Sequence, residues 1–124
     1  MPALDRLRGL RVVADPAALH DATWTGHDVT VLRFAPDDAF AIGATAVEVH
    51  DEHAIVEDEI GFVGAWLDPA DIEPHIEWPL PADRPALAQG SIAGVPAKAW
   101  LPADGPALLL TAAAYAHELA GRFR

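Results

Sequence analysis

Cysteine is absent from this 124-residue chain. That absence removes disulfide scaffolds, thiolate zinc sites, Cys nucleophiles and Fe–S clusters together. Serine occurs once, at Ser91, with no Gly-x-Ser-x-Gly around it, so a nucleophile elbow has no support. Neither Gly-x-Gly-x-x-Gly nor Gly-Lys-Ser/Thr is present, and nucleotide binding through a phosphate loop has none either. No apolar run approaches the roughly 20 residues of a membrane-spanning helix, and the N-terminus has none of leader length. A soluble, cytoplasmic protein is therefore expected. Lysine occurs only at Lys98, and no Lys or Arg lies between Arg33 and Arg84.

What is abundant is negative charge. The formal net charge is -11, and thirteen of the 19 Asp and Glu residues fall in that same stretch from Arg33 to Arg84. Such a surface repels phosphates, so neither nucleic acid nor an anionic membrane is expected as a partner. The length fits one domain over residues 1–124. The charge run reads either as a solubilising surface or as a docking face for a basic partner.

Periodicity is clearest at the C-terminal end. Ala97 to Leu101 and Ala107 to Leu110 flank Pro102-Ala103-Asp104-Gly105-Pro106, a turn signal that predicts a β-hairpin. Thr111 then stands where a helix N-cap belongs. Ala112, Tyr115, Ala116, Leu119, Ala120 and Phe123 follow at helical spacing, with His117, Glu118 and Gly121 left for solvent. Upstream, Leu4, Leu7 and Leu10 suggest a short helix that becomes a strand at Leu10. Asp15-Pro16 starts a helical turn, and Asp21 to His27 reads as a polar loop in which Trp24 acts as a core lid. Val29 to Phe34, a turn at Ala35-Pro36-Asp37-Asp38 and Ala39 to Ile42 form a first hairpin. Ala46 to Val49 and Ala54 to Val56, about the tip His50-Asp51-Glu52-His53, suggest a second.

Ile60 to Leu67 is apolar on both faces, as a central strand should be. Asp68-Pro69 caps a short acidic helix, Trp78 to Pro85 is a stiff crossing, and Ala86 to Ile92 is a weak strand. The expected class is α+β: an antiparallel sheet built from hairpins, with the C-terminal helix packed on one face.

Three constellations carry chemistry. His50 and His53, with acids nearby, have ligand-type side chains, but two imidazoles in a loop tip fall short of the three or four convergent ligands a metal requires. A solvated loop is the simpler expectation for them. Trp66, Trp78 and Trp100 are candidates to line a small-molecule cavity, against the plainer role of core and rim packing. Glu48, Asp51, Glu52, Glu57, Asp58 and Glu59 form the candidate docking face. The sequence assigns no catalytic residue and names no cofactor.

Phe34-Ala35-Pro36-Asp37-Asp38-Ala39-Phe40-Ala41-Ile42 resembles the Gly-Pro-Asp-Glu-Trp-Leu strand-turn-strand of the sarcosine oxidase gamma subunit, in the folate-binding aminomethyltransferase-like superfamily. The order from Ala93-Gly94-Val95-Pro96 to Leu108-Leu109-Leu110-Thr111-Ala112-Ala113-Ala114-Tyr115-Ala116 is similar to that family's closing hairpin and helix. The chain is shorter than those subunits, and no catalytic acid carries over to a numbered position. The resemblance implies a non-catalytic accessory subunit of a flavin-dependent amine oxidase complex, whose acidic face meets a larger subunit with a basic surface. The alternative is a small-molecule or metal-binding module, or a metal-dependent enzyme, using the His50–His53 loop. A homodimer is the default expected of an exposed sheet face.

Overall fold

The computed structural model of the chain describes residues 2–123. Among the described residues there are seven strands and three short α-helices: β1 (Asp5–Val13), α1 (Pro16–His20), β2 (Thr23–Ala35), β3 (Asp38–Glu48), β4 (Ile55–Leu67), α2 (Pro69–Ile72), β5 (Ala86–Ile92), β6 (Val95–Leu101), β7 (Ala107–Ala112) and α3 (Ala116–Arg122). The hydrogen-bonded order is β2-β3-β1-β4-β7-β6-β5. The sheet is mostly antiparallel and the class is broadly α+β. Among the described residues no helix is long and apolar enough to cross a membrane.

Contacts divide the chain into two compact units, one spanning Leu7–Ile60 and the other comprising the residues up to Arg6 and from Gly61 onward. In the first, β3 pairs with both β1 and β2. One face of these strands carries Leu10, Val12, Ala39, Ala41 and Ala44, which form a core with Leu19 of α1. Helix α1 is short and depends on its cap: the Asp15 side chain accepts from the N–H groups of Ala17 and Ala18, and Pro16 supplies a preset φ.

In the second unit, β4, β7, β6 and β5 are consecutive antiparallel neighbours. Leu67, Ala88, Ala97, Ala99, Leu101, Ala107 and Leu109 form a core with Ile72 of α2, Ile92 and Leu119 of α3. Along β6 the small Ala97 and Ala99 stand between Val95 and Leu101 on the core face. The turn between β5 and β6 is two residues long, with Ala93 at φ 52° and Gly94 at φ 77°. That is the doubly positive pattern of a tight hairpin that matches strand twist.

Four expectations from the sequence are corrected. The N-terminal segment is a strand from Asp5, because Leu10 and Val12 are buried on either side of a half-buried Arg11; the period is two, and the leucine spacing is incidental. Asp21 to His27 is not a loop beyond Ala22, since Thr23 to Gly26 pair with β3 and Trp24 packs on the first core. The second hairpin does not form, because β1 lies between β3 and β4. Thr111 is not a cap. It pairs with Val63 inside β7, is almost fully buried, and its hydroxyl donates to the Pro96 carbonyl at 2.7 Å. The helix starts only after a 3-10 turn at Ala113–Tyr115.

Gly9 marks the tightest approach between β1 and β3, where an added Cβ would run into the Ala41 carbonyl. Backbone, not a flexible side chain, is the obstacle. Gly9→Ala is expected to destabilise the protein by about 1–3 kcal/mol in urea denaturation. Gly90→Ala, whose Cβ would meet only ordinary contacts at 3.5 Å, is expected to stay within about 1 kcal/mol of the parent.

Candidate functional sites

Two places gather polar and aromatic side chains, one in each unit. The first is the acidic segment that runs from the end of β3 into β4. Asp51 organises the connection: its carboxylate accepts from the N–H of Asp15 at 2.8 Å and from the N–H of His53 at 2.9 Å. These two bonds, the Asp15 one foremost, hold the Asp51 carboxyl below its usual range. His50 faces Glu48 at 3.5 Å and His53 faces Glu52 at 3.4 Å, and both pairs are largely exposed. The two imidazoles thus serve separate carboxylates. Among the described residues no group of three or more His, Asp or Glu is arranged to hold a metal ion.

The six acids proposed for docking are not equivalent. Glu59 is half-buried and pairs with Arg11 at 3.0 Å; the same guanidinium grips Asp38 through two bonds of 2.6 and 2.8 Å. Arg11 also lies over the Phe34 ring, 4.7 Å from its centroid. Its pKa is raised, chiefly by the hydrogen bond to Asp38. Asp51 and Glu59 therefore act within the fold, whereas Glu48, Glu52, Glu57 and Asp58 are exposed. Interleaved with these are large apolar side chains: Ile55 is 56% exposed, Val56 44% and Ile60 55%. Sequence reasoning singled out the acids and passed over these three, although they directly flank Glu57, Asp58 and Glu59 in the sequence.

The three candidate tryptophans do not converge. Trp66 and Trp100 both sit opposite Leu108, so they share one row and one face of the sheet. Trp78 lies elsewhere, packed against the core that contains Ala88 and Ala97 on the opposite face. It belongs to the second site, a cleft of about 510 Å³ whose walls include His75, Glu77, Trp78, Ser91 and Arg122. The Trp78 indole N–H donates to the Ser91 carbonyl at 3.2 Å. His75 stacks on Phe123 with centroids 4.0 Å apart, and its carbonyl accepts from the Ala93 N–H at 2.7 Å. Arg122 donates to the Ala93 carbonyl at 2.9 Å and to Glu118 at 2.8 Å. No local signal pointed to this cleft, and Gly90 is not one, because a Cβ there would still clear Trp78 at 3.5 Å.

Two outcomes follow from this geometry. Replacing Arg11 by Met leaves Asp38 and Glu59 facing each other half-buried, and is expected to cost about 1–3 kcal/mol in urea denaturation at neutral pH. Adding Glu59→Gln should recover part of that loss. For Asp51 the folded-state pKa is depressed, so its contribution is present above the unfolded value and is lost as pH falls through the folded one. The difference in Tm between the parent and Asp51→Ala should accordingly be full near neutrality and shrink below about pH 4.

No protein-family model, curated protein or solved structure matches this chain significantly.

Proposed function

We propose that the protein is a non-catalytic interaction domain that docks through the first half of β4 onto a larger protein with a basic surface. The observation that carries this is the run from Ile55 to Ile60, where half-exposed Ile55, Val56 and Ile60 flank exposed Glu57 and Asp58, and Val56, Asp58 and Ile60 share one strand face. Aliphatic groups left in water at a strand surface gain free energy when covered, roughly 25 cal/mol per Å². The carboxylates beside them repel a second copy of the same surface, because a two-fold contact would bring like charges together. Covering the aliphatic groups favours association, and the carboxylates make a cationic partner the favoured one. The aliphatic groups supply area to be covered, and the charges between them steer encounter.

The resemblance of Phe34 to Ile42 and of the C-terminal stretch to the sarcosine oxidase gamma subunit makes the large subunit of a flavin-dependent amine oxidase the first partner to try. The test is affinity purification of the tagged protein from its host at about 0.05 M and about 0.5 M salt, a range across which exposed charge pairs are progressively screened. A single large partner retained at low salt and released at high salt is expected, and a Glu57→Lys/Asp58→Lys variant should lose it at both. Retention of that partner by the charge-reversed variant would overturn the docking surface. Recovery of the chain alone, or paired with itself, would overturn the accessory role.

A further inference from the structure

The cleft of the second unit has no part in that docking surface, and its construction suggests a distinct task. We infer that it binds a small planar aromatic monocarboxylate, with the ring stacked on Trp78 and the carboxylate on Arg122. The indole is fixed in two ways. A Cβ at Gly90 would lie 3.5 Å from each of three consecutive ring atoms of Trp78, Nε1, Cε2 and Cζ2. Equal distances of that length to neighbouring ring atoms place the point above the ring plane, so the indole lies flat on the strand at Gly90. The bond from its N–H to Ser91 then sets its rotation. One face of the ring is occupied by β5, and the half-buried indole turns the other away from the strand. A pre-oriented aromatic face of this kind stacks a flat ring with little entropic cost.

Arg122 supplies the charge. Its guanidinium rests on Gly94, where any Cβ would overlap Nη1, and its bonds to Ala93 and Glu118 fix its plane. A guanidinium carries five N–H donors and these bonds employ two of them. The side chain remains about half exposed, so a carboxylate can reach the remaining donors. Glu77 on the same wall disfavours a second negative charge, which sets the preference at a monoanion. The volume, about 510 Å³, lies within the usual range for small-molecule clefts, roughly 300–1,000 Å³.

The test uses 2-naphthoate as the probe and 2-naphthalenemethanol as its uncharged analogue, with calorimetry for affinity and NMR for location. Naphthoate should bind and shift the Trp78 indole N–H resonance, identified by its absence in Trp78→Phe. The alcohol should bind about tenfold more weakly or worse, as loss of a charge-assisted contact requires. In Arg122→Gln, checked for an unchanged far-UV spectrum, the two probes should bind alike. Equal binding of acid and alcohol by the parent protein would overturn the proposal without reference to any variant. So would shifts confined to Trp24, Trp66 or Trp100, or no binding at all. Because Trp78 and Arg122 lie outside residues 55–60, failure here leaves the partner purification unaffected, and the converse also holds.

Discussion

The Arg11 guanidinium is the interaction on which the first unit turns. It stands on β1 and reaches Asp38 of β3 and Glu59 of β4. Its partners are 27 and 48 residues away in sequence. All three side chains are between one fifth and one third exposed, so the charges are partly desolvated and each depends on the others. A cation on β1 that pairs with one acid of β3 and one of β4 favours the order in which β1 lies between those two strands. The Phe34 face beneath the guanidinium, itself tilted against Phe40 with centroids 6.0 Å apart, links this charge cluster to the buried residues of β2 and β3.

The second unit is held by different means. Strands β5, β6 and β7 follow one another through short turns, β4 pairs with β7 across a longer connection, and their shared face forms an apolar core. The segment from α2 to Trp78 and the helix α3 are joined to it by a few specific contacts: Ala93 with His75, Arg122 with Ala93, and His75 with Phe123. The Ala93-Gly94 turn is the common point of the first two. A two-residue turn with positive φ at both positions presents its backbone outward, where a peptide carbonyl and N–H can serve as anchors for other elements.

Local signals were legible where local chemistry decided the outcome. The caps at Asp15 and Asp68, the turn after Ala35, the Asp104-Gly105 loop and the strands from Ala86 to Leu110 could all be read from neighbouring residues. Thr111 shows the limit, because a hydroxyl before an alanine-rich run fits a cap and a buried strand equally until its acceptor, Pro96, is known. The Leu4, Leu7, Leu10 spacing misled in the same way, since three-residue spacing fits one helical face, whereas on the observed strand Leu7 and Leu10 lie on opposite faces. Insertion of β1 between β3 and β4 left no trace in the intervening residues, because it rests on the long-range Arg11 contacts. Among the candidate sites, the exposed acids could be identified but not sorted: that Asp51 and Glu59 serve the fold follows only from the positions of Asp15 and Arg11. The separation of Trp78 from Trp66 and Trp100 likewise required the register, which assigns the latter two to the row of Leu108.

The lie of Trp78 along β5 has one more effect. β5 ends the strand order, and an outermost strand offers a line of backbone groups on which a foreign strand can grow. Here the Ser91 carbonyl is taken by an indole N–H, and the Ala93 N–H by the His75 carbonyl. Residues 75 to 78 thus run beside the end of the strand as a guard rail, irregular in backbone and bonded to Ser91 and to the turn at Ala93. The segment that shapes the cleft also shields this margin from runaway polymerisation.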